Sequence, residues 1–505
     1  MMSILKTSLI FTVVWAVHFQ HSARARKYTI NDLQVPGEIL WLAEGDLDGN
    51  QENDLIFSYK RGVSVDSKKF LAIFFRENGI FPKYPQQAFQ VPKNAVAFTI
   101  ADVMGDEKAE IVYLRSSGIY AQVALRNRVS SPIQILKARN IVGRSEREDF
   151  IHWDFVKQFE NRTWIIVPFV DGIELYERKG ALYKINSDIE LQTEHFYDTE
   201  RDTYLRSTRG GRSGKIYAFR STTVLPLLRF IDYDGDGKRD LISHFEDRIS
   251  VNKQLKNGTF EQSSSVRRWF NLRTQKENAA RDTTIDLQIL DLNGDQIADI
   301  SATKITGGVL NMRTETRLYL GQKGGGFLKK ANQVFTDEGF ASLVRYEDVD
   351  LDGEIEMIHP LAKPSLFSLS RVLLSSELKV DFRIRKRSQN KSFVFQADPD
   401  LEITSVLGLD FSTGGALHGP YPIFGIDINQ DQKADIGIGQ GDKNFEILEG
   451  EDIGKLQPNT NRSFEIKATR SVRKLHTKTK DASEILFYYK HLPSHSGRVR
   501  ILTYR

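Results

Sequence analysis

The 505-residue sequence predicts an all-β fold, a single β-propeller built from four-stranded blades. Three observations support this prediction. An Asp-rich pattern set between two apolar, strand-like segments recurs along the chain, and tight-turn signals follow it in several copies. No segment has a convincing long helical period. Repeated sheets must bury their faces against one another, and a closed ring leaves no sheet without a neighbour.

The Asp-rich pattern places acidic or amide residues at positions 1, 3, 5 and 9 of a loop between two strands. Five copies are intact, and five copies with matching flanks are improbable by chance. In chain order the residues at these positions are Asp46, Asp48, Asn50 and Asp54; Asp232, Asp234, Asp236 and Asp240; Asp291, Asn293, Asp295 and Asp299; Asp348, Asp350, Asp352 and Glu356; Asp427, Asn429, Asp431 and Asp435.

Three further units carry degenerate copies. Asp102, Asp106 and Glu110 keep positions 1, 5 and 9, but Met104 stands at position 3. The strands around Asp154 persist without the loop acids, and a segment that starts at residue 476 holds the same place near the C-terminus. Eight blades are therefore favoured, with seven as the alternative.

The rest of each unit supplies further strands. Asn78-Gly79 and Asn257-Gly258 stand between apolar residues, a hairpin signal because both turn residues need positive φ. The last unit stops after its third strand, Arg498–Thr503, so the segment Tyr28–Val35 could complete the last blade and close the ring. Two smaller β-domains are the alternative. The two longest spacings predict insertions at about 188–222 and 362–420.

The loop positions suit calcium. Ca²⁺ takes six to eight oxygen ligands in irregular geometry, and alternate positions of a tightly curled loop point inward. Asp, Asn and Gly also form ordinary turns, but the repetition favours about five Ca²⁺ sites. An EF-hand is disfavoured because position 12 of each loop is not Glu and lies in a strand pattern. We expect weak or no binding at Asp102, and none at Asp154 or His476.

Composition and the N-terminus limit the classes of function. Lys6, the apolar run Leu9–Val17 and the site after Ala25 predict a signal peptide at 1–25, with an uncleaved anchor as the alternative. The propeller would then occupy 26–505, exported to the periplasm, the cell surface or the extracellular space, without a membrane span. Basic and acidic residues number 70 and 66, too balanced to indicate nucleic acid. The absence of cysteine excludes disulfides, thiolate zinc sites and a cysteine nucleophile.

The units resemble FG-GAP/VCBS repeats, the blades of integrin α-subunit heads and of many secreted bacterial propellers. The resemblance covers nearly all of residues 28–505 and is most specific at the five intact loops. It implies calcium bound between the first two strands of a blade, and a role in cell adhesion or protein interaction.

The predicted function is therefore that of a calcium-binding scaffold for a protein or carbohydrate partner, with no catalytic residues and no organic cofactor. The Arg- and Tyr-rich insertion at 188–222 could contact such a partner, since both residue types are favoured at interfaces. The alternative is a polysaccharide lyase built on a calcium-binding propeller, which would need a His or Tyr base and an Arg to neutralise a uronate.

Overall fold

The computed structural model describes most of the chain from residue 28 to residue 504. The described ranges are 28–62, 68–142, 150–204, 215–275, 277, 283–307, 312–339, 343–362, 377–389, 394–410, 416–441, 444–450, 458–465, 471–475, 484–488 and 497–504. The predicted signal peptide at 1–25 and the loop that starts at His476 lie outside them.

Within these ranges the protein is all-β, and helical backbone occurs only at Gln275 and Glu277. None of its described helical residues forms a stretch long and apolar enough to cross a bilayer. The first half of the strands are β1 Tyr28–Gln34, β2 Glu38–Gly45, β3 Asp54–Arg61, β4 Lys68–Phe74, β5 Gln87–Gln90, β6 Ala95–Ala101, β7 Glu110–Arg115, β8 Gly118–Gln122, β9 Ala124–Leu125, β10 Arg128–Val129, β11 Ile133–Lys137, β12 Ile151–His152, β13 Val156–Phe159, β14 Arg162–Pro168, β15 Gly172–Lys179, β16 Leu182–Glu190, β17 Glu194–Tyr204, β18 Lys215–Val224 and β19 Leu227–Ile231. The second half are β20 Asp240–His244, β21 Arg248–Asn252, β22 Val266–Trp269, β23 Thr284–Leu290, β24 Asp299–Thr306, β25 Arg313–Tyr319, β26 Gln333–Glu338, β27 Arg345–Glu347, β28 Glu356–Leu361, β29 Glu377–Arg385, β30 Leu401–Asp410, β31 Ala416–His418, β32 Ile423–Ile426, β33 Asp435–Gln440, β34 Asn444–Gly450, β35 Pro458–Glu465, β36 Ser471–Leu475, β37 Glu484–Tyr488 and β38 Arg498–Tyr504.

These strands form antiparallel sheets of four, as the repeat predicts. We number them sheet 1 (β2–β5), sheet 2 (β6–β8 and β11), sheet 3 (β13–β16), sheet 4 (β19–β22), sheet 5 (β23–β26), sheet 6 (β27–β30), sheet 7 (β32–β35) and sheet 8 (β36–β38 and β1). The short strand β12 adds to sheet 2, and a single parallel bridge between Val406 and Gln440 joins sheets 6 and 7 into one larger sheet.

Sheet 8 combines the two ends of the described chain. β1 runs antiparallel to β38, with Tyr28 opposite Tyr504 and Gln34 opposite Arg498. The predicted pairing of the N-terminal strand with the last strand is confirmed. The side chains of Asp32 and Arg500 add an ion pair across this junction at 2.7 Å.

The core lies between the sheets, and the second strand of each sheet is buried along most of its length. All five side chains of β20 are buried, for example. Each hydrophobic cluster joins neighbouring sheets, such as sheets 1 and 2 (Ile56 with Ile111) or sheets 4 and 5 (Ile242 with Ile300). Phe57 of sheet 1 shares a cluster with Leu486 of sheet 8.

Antiparallel order divides the connections between two ends of the sheets. Turns from the first to the second strand, and from the third to the fourth, lie at one end, which we call the loop end. Turns from the second to the third strand, and from one sheet to the next, lie at the opposite end. The predicted insertion at 188–222 includes the hairpin β17–β18, which joins sheets 3 and 4 at that opposite end. Within the predicted insertion at 362–420, β29 pairs with β28 and β30 pairs with β29, as the third and fourth strands of sheet 6. The predicted insertion is therefore partly strand of the regular four-stranded sheet.

Candidate metal sites in the Asp-rich loops

The five intact loops follow one backbone path at the loop end. Each leaves the first strand of its sheet and enters the second strand at position 9, the first residue of β3, β20, β24, β28 or β33. Positions 4 and 6 have positive φ in every copy, whether they carry Gly or not. Glycine tolerates this conformation best, so Leu351 at position 4 holds a strained backbone.

The carboxylate at position 1 curls the loop around itself. In the clearest copy, Asp232 Oδ1 accepts hydrogen bonds from the backbone N–H groups of Asp234 and Gly235, and Oδ2 accepts one from Gly237. Asp46 and Asp291 accept equivalent bonds in their own loops. This turn chemistry explains why Asp is needed at position 1.

The acid at position 9 connects the loop to the sheet. Asp299 is fully buried and accepts the backbone N–H of Leu292 at 2.8 Å and that of Gly321, just after the third strand, at 2.7 Å. Asp54, Asp240 and Asp435 make the same two bonds in their sheets, and Glu356 accepts the N–H of Val349. Sequence reasoning assigned this residue only to the metal.

Burial raises the pKa of the position-9 carboxyls, because removal from water disfavours the charged form. The pKa of Asp299 rises to about 7 and that of Glu356 to about 8. Neighbouring carboxylates of the same loops add to the rise, whereas the backbone N–H donors oppose it. A nearby cation would favour the charged form of these groups.

Three of the five loops bring carboxylates from positions 1, 3 and 9 together, with ligand atoms within 4.8 Å of one another. These groups are Asp46, Asp48 and Asp54; Asp232, Asp234 and Asp240; Asp348, Asp350 and Glu356.

Among the described residues, three buried oxygens in these groups have no hydrogen-bond partner: Asp234 Oδ1, Asp348 Oδ1 and Asp350 Oδ1. A buried, unsatisfied carboxylate oxygen is costly, and a hard cation would satisfy it. The donor set therefore fits Ca²⁺ in these loops.

The other two intact loops carry Asn at position 3. The Asn293 side chain donates to Asp295 Oδ2 at 3.0 Å, and that of Asn429 donates to Asp431 Oδ2 at 3.1 Å. The amide oxygen of each Asn accepts the backbone N–H of the position-5 residue at 3.1 Å, which leaves one lone pair for a cation. Position 5 turns toward its own loop in all five copies, accepting the N–H two residues on, as Asp236 does from Lys238. The structure thus places position 5 outside the three groups.

The position-3 carboxylates also contact basic side chains that the sequence did not point to. Arg126 of the neighbouring sheet 2 reaches Asp48 at 2.6 Å, and Lys253 reaches Asp234 at 2.6 Å. Lys386 forms the same contact with Asp350. Each basic residue follows the third strand of a sheet, at the loop end. One oxygen of the position-3 acid is therefore already paired with a fixed cation.

The degenerate loops at Asp102 and Asp154 differ from the five intact loops in their side chains, as the sequence predicts. The Asp102 loop keeps the same turn, with Asp102 accepting the N–H of Glu107, and Glu110 accepts the N–H of Val103 at 3.0 Å. Met104 provides no side-chain oxygen at position 3. Asp154 instead pairs with Lys157.

Comparison with solved structures gives only distant likenesses. A lectin of Agrocybe aegerita, described for recognition of non-reducing terminal N-acetylglucosamine, is 11% identical over 73% of this chain and 80% of that chain, with a TM-score of 0.37. Sqt1 of Chaetomium thermophilum, bound to the N-terminus of ribosomal protein L10, is 9% identical over 93% and 97%, with a TM-score of 0.41. The V. cholerae biofilm matrix protein Bap1 is 11% identical over 94% and 88%, with a TM-score of 0.30. We draw no functional argument from likenesses this distant.

The sequence comparisons are more specific. A search of the curated proteins gave no significant match. Residues 232–302 match the family model of the FG-GAP-like repeat, and this segment holds two intact loops, from Asp232 and from Asp291. The chain therefore contains an FG-GAP-like repeat, which confirms the resemblance that its Asp-rich loops predict.

Proposed function

We propose that this protein is an exported, calcium-loaded β-propeller of eight blades that acts as a binding scaffold for a protein or carbohydrate partner. The observation that carries the proposal is the recurrence of the carboxylate groups: three loops bring acids from positions 1, 3 and 9 within 4.8 Å, and two of them contain buried oxygens without partners.

The packing supports a closed ring of eight blades. Hydrophobic clusters connect the numbered sheets in chain order, and a further cluster containing Phe57 and Leu486 connects sheet 8 with sheet 1. A buried ion pair between Arg76 and Glu484, at 2.7 Å, crosses the same junction. A strand from each end of the chain in sheet 8 would fasten the ring.

Calcium would be held by the acids and amides at positions 1, 3, 5 and 9 of the five intact loops. A bound cation neutralises carboxylates that otherwise repel one another, and it stabilises the form that binds it. In a chain without cysteine, such ions would take the place of disulfides in an exported protein. We expect about five sites, the weaker ones at Asp291 and Asp427.

The end opposite the loops is the proposed binding surface. The hairpin β17–β18 lies between sheets 3 and 4 at that end, and β28 ends and β29 begins there as well. Propellers that serve as scaffolds place variable connections on a rigid ring, so partner specificity would reside in these segments. Export would follow from cleavage after Ala25.

The calcium proposal is tested by thermal melting and calorimetric titration of the full mature chain. We expect about five bound ions and a lower melting temperature in excess chelator. Asp234→Ala should reduce the stoichiometry by one, because it removes both oxygens of the position-3 acid, including Oδ1, which has no hydrogen-bond partner among the described residues, whereas Ser117→Ala at the opposite end should not. An unchanged melt of confirmed calcium-free protein would contradict the proposal.

The scaffold proposal is tested with glycan arrays and protein capture, using a variant in which residues 195–223 are replaced by a short turn. Partner binding should fall in that variant, while its calcium stoichiometry and melting temperature remain those of the parent. Two outcomes would count against a scaffold that works through this surface. One is equal partner binding by the parent and the hairpin variant, and the other is product formation from an acidic polysaccharide.

A further inference from the structure

An apolar cleft opens at the end opposite the loops, where the first strands of sheets 2, 3 and 4 begin. Its volume is about 660 Å³, within the range of small-molecule sites, roughly 300–1,000 Å³. Aliphatic and aromatic side chains of the three sheets line most of it, among them Val96, Leu114, Ile151, Trp153, Ile166 and Leu227.

Two of these apolar side chains are exposed. Ile151 is 43% exposed and Leu227 is 67% exposed. Leaving them in water forgoes the free energy of burial, about 25 cal/mol per Å² of apolar surface. A ligand that covers both would recover that free energy, which points to an apolar occupant.

The mouth of the cleft carries excess positive charge. Lys157 and Arg229 both line it, and Asp154 supplies one carboxylate, which pairs with Lys157. Among the described residues, the Arg229 guanidinium forms no ion pair and no hydrogen bond. Its side chain is exposed and available to an anionic group.

We propose that this cleft binds a long-chain fatty acid, with its alkyl chain between Leu227, Ile151 and Trp153 and its carboxylate at Arg229. The ligand is complementary to the site in both polarity and charge. Its aliphatic chain would cover the exposed apolar side chains, and its carboxylate would pair with the Arg229 guanidinium. This activity goes beyond a scaffold for macromolecules and does not depend on the calcium loops.

The test is calorimetric titration of the full mature protein with dodecanoate, below its critical micelle concentration and at low salt. Dodecyltrimethylammonium, which has the same chain and the opposite charge, serves as the comparison probe. We expect saturable binding of dodecanoate, severalfold tighter than that of the cationic probe.

Two variants separate the apolar and the charged contributions. Leu227→Glu should weaken dodecanoate binding about tenfold or more, since burial of a leucine side chain contributes about 1.5–3 kcal/mol. Arg229→Ala should weaken it by roughly twofold to fivefold, the range of exposed ion pairs, with little effect on the cationic probe. Leu328→Glu is the matched control, because Leu328 is 47% exposed and lies near the loop end.

Absence of saturable binding, equal affinity for both probes, or an unchanged affinity in Leu227→Glu would overturn the proposal. So would selective binding of an apolar, acidic peptide in its place. All titrations are run with calcium and with chelator. Failure of the calcium or scaffold proposals would therefore be distinguishable from failure of this one.

Discussion

Replacing the position-9 acid should destabilise a blade even when no calcium is present. Both oxygens of Asp299 accept buried backbone N–H groups, from Leu292 at 2.8 Å and Gly321 at 2.7 Å. Asp299→Ala leaves both donors without an acceptor, and each such group costs about 1–3 kcal/mol. We expect a loss of about 4 kcal/mol in the free energy of unfolding.

The matched control is Asp295→Ala in the same loop. Asp295 is exposed, and it accepts bonds only from the N–H of Ile297 and the side chain of Asn293. In excess chelator this variant should lose less than about 1 kcal/mol. Urea unfolding followed by tryptophan fluorescence measures both. Equal losses in the two variants without calcium would refute the division between a structural position 9 and a metal-binding remainder.

Three further predictions concern other parts of the protein. Burial lowers the pKa of His244 to about 4 from 6.5, so the unfolded chain binds more protons than the folded chain between these two pH values. The contribution of His244 to the free energy of unfolding is therefore fully present above pH 6.5 and falls by at most about 3 kcal/mol as the pH drops to 4. Urea midpoints of His244→Gln, measured across this pH range, should lack that component. Glu484→Gln breaks a buried ion pair with Arg76, and calorimetric melts should reveal a loss of about 3 kcal/mol. Met104→Asp supplies the missing position-3 acid of the Asp102 loop, and titration should count one more bound calcium ion; an unchanged count would mean that this loop lacks more than that acid.

Local patterns predicted the strands and loops because both depend on short-range chemistry. The Asp-rich loops lie where the sequence predicts them, at Asp232 and its equivalents. The reason is that an acid at position 1 accepts hydrogen bonds from N–H groups only two to five residues away. Strand β1 was predicted to complete the last sheet because that unit lacked a fourth strand. Sheet 6 was harder to delimit, because the connection from β28 to β29 interrupts the spacing on which the repeat was recognised.

Contacts between distant segments left no such signal. Arg126 lies 78 residues from Asp48, and nothing in either local sequence indicates the pairing. The second acceptor bond of Asp299, to Gly321, likewise depends on the third strand returning beside the loop. Sequence reasoning therefore recognised the acids but assigned them a single role. In the fold the position-9 acid bonds to the sheet and also lies with positions 1 and 3 in the three carboxylate groups.

This division bears on how calcium would stabilise the protein. The Asp102 loop retains the position-1 turn and the buried position-9 acid without a position-3 ligand, yet it follows the same path as the intact loops, with positive φ at Gly105 and Glu107. The turn is therefore held by hydrogen bonds from backbone N–H groups to the carboxylates at positions 1 and 9, and basic residues such as Lys253 already offset part of the loop charge. A cation that binds a preformed loop adds stability by mass action, RT ln(1 + [L]/Kd) for each site, about 2.7 kcal/mol at a hundredfold excess over Kd. Because these hydrogen bonds do not involve the ion, we expect the calcium-free protein to remain folded but less stable, unlike a zinc finger that unfolds without its metal.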